Sequence, residues 1–127
     1  MKNGNETFLK AGTVSKLKYK KPFCHQSAFT RTSVHNTYLF DCNYKIQADY
    51  DMFLRAYLNK ISFSKWDRTI SKFNMDGMSS NPHNYSVVFN ELISLHKKNR
   101  INCLNTPIIG LYYLKCWIHK MRIKNNI

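Results

Sequence analysis

Few residues in this chain can carry chemistry. Seven acidic side chains stand against twenty Lys and Arg among 127 residues. Two of the acids lie close together, in Asp49-Tyr50-Asp51. From Ala48 onward the pattern is helical, because Met52, Phe53, Ala56 and Tyr57 fall on one face. Asp49 and Asp51 therefore belong to a first helical turn, where free backbone N–H groups and the helix dipole favour carboxylates. A carboxylate held there can act as a general base, taking the proton from a hydroxyl that attacks an electrophile. The same placement also suits two simple caps. Asp51 and Arg55 would then form an i,i+4 ion pair on an exposed face, worth about 0.3 kcal/mol. Spacing alone leaves both readings open.

Other candidates are scattered. His25 and Gln26 interrupt the apolar stretch 23–29 and could line a pocket; His25 could equally be a hydrogen-bonded core residue between Phe23 and Phe29. In Gly77-Met78-Ser79-Ser80 the small residues, Gly77 and Ser79 above all, suit a loop that offers backbone N–H groups to phosphate. An ordinary turn has the same composition. Arg31 and Arg55 could contact phosphate or pair on the surface. Asp49-Tyr50-Asp51 satisfies an Asp-x-Asp metal pattern, but Tyr44-Lys45-Ile46-Gln47 is not an apolar strand leading into it, so no metal site is assigned. Cys24, Cys42, Cys103 and Cys116 form no C-x-x-C pair, and no His stands at zinc spacing from two of them. They are expected to be reduced packing thiols.

The elements that would position these residues predict an α/β chain with short strands first and helices last. Pro22 opens a strand or turn, and 23–29 forms a short buried segment. The 31–37 stretch is a short helix or connector. A helix from Ala48 stops near Asn59. Strands follow at 61–66 and 69–73, then a loop at 75–81. Asn81-Pro82 starts a helix whose face is Tyr85, Val88, Phe89, Leu92, Leu95 and His96, ending near Arg100. Thr106-Pro107 starts a last helix, to about residue 123. One domain is expected over 1–127, with 13–100 as its body and 101–127 as a basic amphipathic helix. With 43% hydrophobic and 14% aromatic residues, the composition is globular rather than disordered.

Charge is unevenly spread. The net charge is +13, the middle of the chain is nearly neutral, and residues 92–127 contain basic side chains and no acid. Cationic ends attract phosphate on nucleic acid, lipid or substrate. The apolar stretch 108–114 is broken at Lys115, well short of the ~20 residues a membrane span needs. Residues 1–20 have no apolar signal-peptide core. Leu111, Tyr112, Leu114, Trp117 and Met121, interspersed with Lys115, Lys120, Arg122 and Lys124, suit contact with an anionic membrane surface.

Four pieces occur in order: Pro22-Phe23-Cys24-His25-Gln26-Ser27-Ala28-Phe29, then Phe40-Asp41, then Tyr44-Lys45-Ile46-Gln47-Ala48-Asp49-Tyr50-Asp51-Met52-Phe53-Leu54-Arg55, then Gly77-Met78-Ser79. Together they resemble the C-terminal, acceptor-side half of bacterial family 2 glycosyltransferases of the type-A fold, those of cell-surface polysaccharide biosynthesis. The resemblance covers about residues 13–100. It implies a partial type-A fold and transfer of a sugar, with inversion, from a nucleotide-diphosphate sugar to a saccharide or lipid-linked acceptor. Asp49 matches the general base, with Ala48 where a Glu is usual. His25, Gln26, Asp51, Arg55, Gly77 and Ser79 would contact substrate. The resemblance also implies a divalent metal, Mg or Mn, held by residues of the N-terminal nucleotide-binding half. Nothing ahead of His25 looks like that half, so the expectation is a fragment inactive on its own. A cytoplasmic location, peripheral at the inner face of the cell membrane, is expected. The rival reading is a small basic module that binds nucleic acid or a membrane without catalysis. No nucleic-acid motif is present, and the neutral middle argues against nucleic acid as the partner.

Overall fold

The computed structural model describes residues 8–73, 77–102 and 107–125. Its helices are α1 (Thr32–Thr37), α2 (Ala48–Leu58), α3 (Tyr85–Lys98) and α4 (Pro107–Asn125). Short 3-10 turns lie at Val14–Lys18, His25–Ser27 and Pro82–Asn84. The α/β expectation, and with it the partial type-A fold, is corrected: the architecture is all-helical, with no strand among the described residues. Residues 61–66 and 69–73 do carry alternating side chains, and Phe63 meets the rings of Phe23 and Tyr57 at 6.5 Å. A strand also needs a neighbouring strand for its N–H and C=O groups, and none forms among the described residues. The 23–29 segment is likewise a 3-10 turn rather than a buried run. Phe23 packs edge-on against Phe53 at 5.1 Å, while Phe29 is exposed.

The core lies between α2 and α3. On α2, Tyr50, Met52, Phe53, Leu54 and Ala56 are buried. On α3, Val88, Leu92, Leu95 and His96 repeat at the spacing of one helical face. Leu17, from the first 3-10 turn, is completely enclosed against them, and Ile109 of α4 joins from the other end. Burying a Leu of this kind stabilises by about 2 kcal/mol.

The helix ends explain why α2 and α3 stay together. Glu91, on α3, accepts from the backbone N–H groups of Lys45 (2.7 Å), Ile46 (3.0 Å) and Gln47 (2.9 Å). The backbone leading into α2 is thus held from another helix, and of the helix's own acids only Asp49 accepts from a first-turn N–H, that of Tyr50. Asn81 accepts from the N–H of His83 at 3.0 Å, as Asn81-Pro82 predicts. Both helices end alike. Ile61 N–H donates to Ala56 and Ile101 N–H to His96, across left-handed residues Lys60 (φ 61°) and Arg100 (φ 55°). Asn59 and Asn99 each return a side-chain bond to the carbonyl four residues back, at 2.9 Å. No described helix is long and apolar enough to cross a membrane.

Candidate functional site

Asp49 stands in the first turn of α2. Its Oδ1 accepts from the N–H of Tyr50 at 2.7 Å. Its Oδ2 is paired with Lys21 Nζ and lies 3.2 Å from Nδ1 of His25. The carboxylate is 16% exposed and His25 is 53% exposed, so the group sits at the protein surface. His25 is therefore not a core residue.

A loop brings Lys21 and His25 to Asp49. Gly12 N–H donates to the Pro22 carbonyl at 2.7 Å and closes residues 12–22 on themselves. A Cβ at Gly12 would come within 3.2 Å of Pro22 Cβ and 3.3 Å of its carbonyl oxygen, which explains the glycine. The closed loop is pinned at Leu17, whose carbonyl accepts from the Tyr50 hydroxyl at 2.8 Å. Tyr50 adjoins Asp49 in sequence, so one helical turn holds both the loop and the carboxylate. The Tyr50 oxygen also contacts His96 Nε2 at 3.0 Å. Since the hydroxyl proton goes to Leu17, His96 must donate from Nε2, which leaves Nδ1 buried without a hydrogen-bond partner. Burial raises the Tyr50 phenol above its ordinary range and lowers the His96 imidazole below its own.

Asp51 lies on the other flank of α2, roughly 200° away by helical geometry. The expected exposed i,i+4 pair is corrected here: Asp51 is fully buried. Its Oδ2 accepts from Arg55 Nε at 2.7 Å, and Lys98 Nζ lies 3.7 Å from Oδ1, which has no hydrogen bond. Lys98 donates to Asp41 Oδ2 at 2.7 Å, and that bond first, then the Asn43 N–H, holds the Asp41 carboxyl down at about 2. The same bond raises Lys98. Arg55 also donates to the Leu39 carbonyl at 2.6 Å. A salt-bridged belt therefore ties 39–43, α2 and α3 together, and Asp51 faces that belt rather than Asp49.

The structure thus brings together His25, Asp49 and the unforeseen Lys21, and separately Asp51 and Arg55. Gln26 is exposed, and its Oε1 accepts from Cys24 Sγ at 2.8 Å. Gly77 and Ser79 belong to an exposed turn at 77–80, bonded to itself and to Asn84. No hydrogen bond or ion pair joins that turn to Asp49 among the described residues, and a Cβ at Gly77 would meet open space. Two open clefts, of about 400 and 440 Å³, are lined by residues such as Tyr57 and Phe63, and Asn90 and Ser94, but not by Asp49. Among the described residues no three His, Cys, Asp or Glu side chains gather to hold a metal ion. Lys21 puts positive charge where a cation beside Asp49 would have to sit. Cys24, Cys42 and Cys116 are free thiols; Cys103 lies outside the described residues.

Glu91 and Lys98 escaped sequence reasoning as functional or structural centres, and His96 was read only as part of a helix face. Glu91 carried the one usable signal, as the single acid in the helix from Asn81-Pro82. No family model, no curated protein and no solved structure matches this chain.

Proposed function

We propose that this chain supplies the acceptor-side base of an inverting glycosyl transfer. Asp49 takes the proton from an acceptor hydroxyl as that oxygen bonds to the anomeric carbon of a nucleotide-diphosphate sugar. The nucleoside diphosphate leaves with the electron pair of the broken bond. One observation carries the reading. His25 and Asp49 come from two motif pieces 24 residues apart in number, and they meet at 3.2 Å. A carboxylate that only capped its own helix would not need that neighbour.

The residues divide the work simply. Asp49 is fixed at Oδ1 by the Tyr50 N–H, so its orientation is set before substrate arrives. Lys21 compensates its charge at Oδ2, and His25 Nδ1 lies within hydrogen-bonding distance of the same oxygen. An acceptor hydroxyl reaches that oxygen by displacing Lys21, whose flexible stem yields more readily than a ring on a short turn. His25 then stays as a hydrogen-bonding neighbour of the acceptor. No step here runs through the divalent metal that the resemblance implies.

The test joins the chain to the donor-binding half of a bacterial family 2 glycosyltransferase, in place of that enzyme's own acceptor half. Transfer to its acceptor, lost by at least roughly a hundredfold in Asp49→Asn with acceptor KM little changed, supports the proposal. Equal transfer by Asp49→Asn removes Asp49 from the chemistry. The isolated chain gives a second reading. Saturation-transfer NMR with short oligosaccharides should detect binding that His25→Ala weakens, and absence of any saccharide binding counts against an acceptor site.

A further inference from the structure

Helix α4 has two unlike sides. Ile109 is buried, and Tyr112, Cys116 and His119 are half-buried, on the side turned to α3 and the Pro82–Asn84 turn. There the His119 ring meets His83 at 5.2 Å and Tyr85 at 6.2 Å. The opposite side is apolar and open: Leu111, Tyr113, Leu114, Trp117, Ile118 and Met121 are each between 39% and 65% exposed. At 100° per residue these six span roughly 160° of the helix surface. Lys115 and Arg122, both exposed, border the patch along one edge. Contiguous apolar surface of this kind marks an interaction site.

We propose that this face docks on an anionic lipid bilayer, with α4 lying in the plane of the interface. Charge selects that occupant over a second protein. From residue 92 to the end the sequence has basic side chains and no acid, so the whole region is drawn to lipid phosphate. Trp117 and Tyr113 suit the headgroup level, where one part of the ring is apolar and the other wet. The helix is about 28 Å long and interrupted by charge, so it lies on the membrane rather than crossing it. Lys115 is already held over the Tyr112 and Tyr85 rings, at 5.5 and 5.8 Å, which keeps one charge at the patch edge. This inference does not rest on the glycosyl-transfer reading.

Vesicle flotation of the full chain tests it. Phosphatidylcholine vesicles containing phosphatidylglycerol should retain the chain, and pure phosphatidylcholine vesicles should not. Retention should fall as salt is added. Leu114→Glu with Ile118→Glu should weaken it at least roughly tenfold, and Lys115→Gln and Arg122→Gln by roughly fivefold each. In a Trp66→Phe background, Trp117 emission should shift to the blue on binding. All these positions are exposed, and unchanged far-UV circular dichroism verifies the fold of each variant. Asp49→Asn should bind vesicles like the parent, so loss of transfer and loss of docking stay distinguishable. Equal retention on neutral vesicles, no retention on either, or no effect of the double Glu variant overturns the proposal. So does a concentration-dependent dimer abolished by Leu114→Glu without vesicle binding, which would give the face to a second copy.

Discussion

Asp49 and Asp51 are the same residue type on the same helical turn, yet they live in different physical environments. The flank with Asp49 faces a loop, is open to water, and holds its carboxylate with Lys21 and His25. The flank with Asp51 faces α3, is closed to water, and shares a belt with Arg55, Lys98 and Asp41. Rotation about one helix axis separates a carboxylate that solvent reaches from one that it does not. An Asp-x-Asp pattern on a helix is therefore two sites, not one. On a strand the two side chains would share a face, and that is where such a pair can grip one ion.

The difference is largest in stability. Asp51→Ala leaves Arg55 and Lys98 without their buried partner and should cost about 3 kcal/mol, the low end for a broken buried pair because both cations reach water. Asp49→Asn should cost less than about 1 kcal/mol, as for a pair whose partners stay solvated. Urea unfolding of the two variants decides the matter. Equal losses would erase the distinction between the flanks.

Glu91 sharpens the same contrast from the α3 side. It satisfies three N–H groups leading into α2, close to the role that one reading of the spacing assigned to Asp49 and Asp51. Glu91→Ala should therefore cost about 2 kcal/mol, near the upper end for a lost cap. Glu91→Gln should recover part of that, since its amide oxygen still accepts. A loss no larger than that of Asp49→Asn, by the same unfolding measurement, would return the capping role to the acids of α2.

These cases show what was legible beforehand. The bounds of α2, the Asn81-Pro82 start, the buried face of Val88, Leu92, Leu95 and His96, and the last helix at Pro107 all follow from local periodicity and capping chemistry. Residues 61–66 and 69–73 did not follow, because alternation describes side chains while a strand depends on a distant backbone. The burial of Asp51 was hidden for the same reason. Its partners Lys98 and Asp41 are far away in sequence, and the local view offered only Arg55. Motif order placed His25 and Asp49 in one site without foreseeing their contact, and Lys21 entered only through the closed 12–22 loop.

The two flanks should also separate by pH. His96 Nδ1 has no partner, and burial lowers the imidazole below its ordinary value. The ring faces the Tyr50 hydroxyl, and no described carboxylate contacts it. The unfolded chain takes up a proton near pH 6.5 while the folded chain resists it. Stability from this group is thus full above about pH 6.5 and is lost as pH falls toward the folded value. Asp41, held at about 2 by Lys98, acts in a lower window. Its contribution is present above its ordinary value and fades as pH drops toward 2. Urea midpoints across pH 8 to pH 5 should fall in the parent and fall less in His96→Gln, whose amide can still donate to Tyr50. An identical decline in both would remove His96 from the balance.

The smallest effect is a gain, at a place belonging to neither flank. Lys60 and Arg100 hold left-handed backbone conformations with φ of 61° and 55°, where a Cβ costs roughly 1 kcal/mol or more. The bonds around them, from Ile61 to Ala56 and from Ile101 to His96, need the bend but not the side chain. Lys60→Gly and Arg100→Gly should each stabilise by up to about 1 kcal/mol, less the extra freedom glycine gives the unfolded chain. Calorimetric melting of the two variants and their combination measures this, with additive gains expected because the sites share no described contact. Since neither change touches Lys21, His25 or Asp49, saccharide binding should stay as in the parent. A stabilised variant with altered binding would mean that the far end of α2 is coupled to the turn that carries Asp49, and that the two flanks do not behave as independent surfaces.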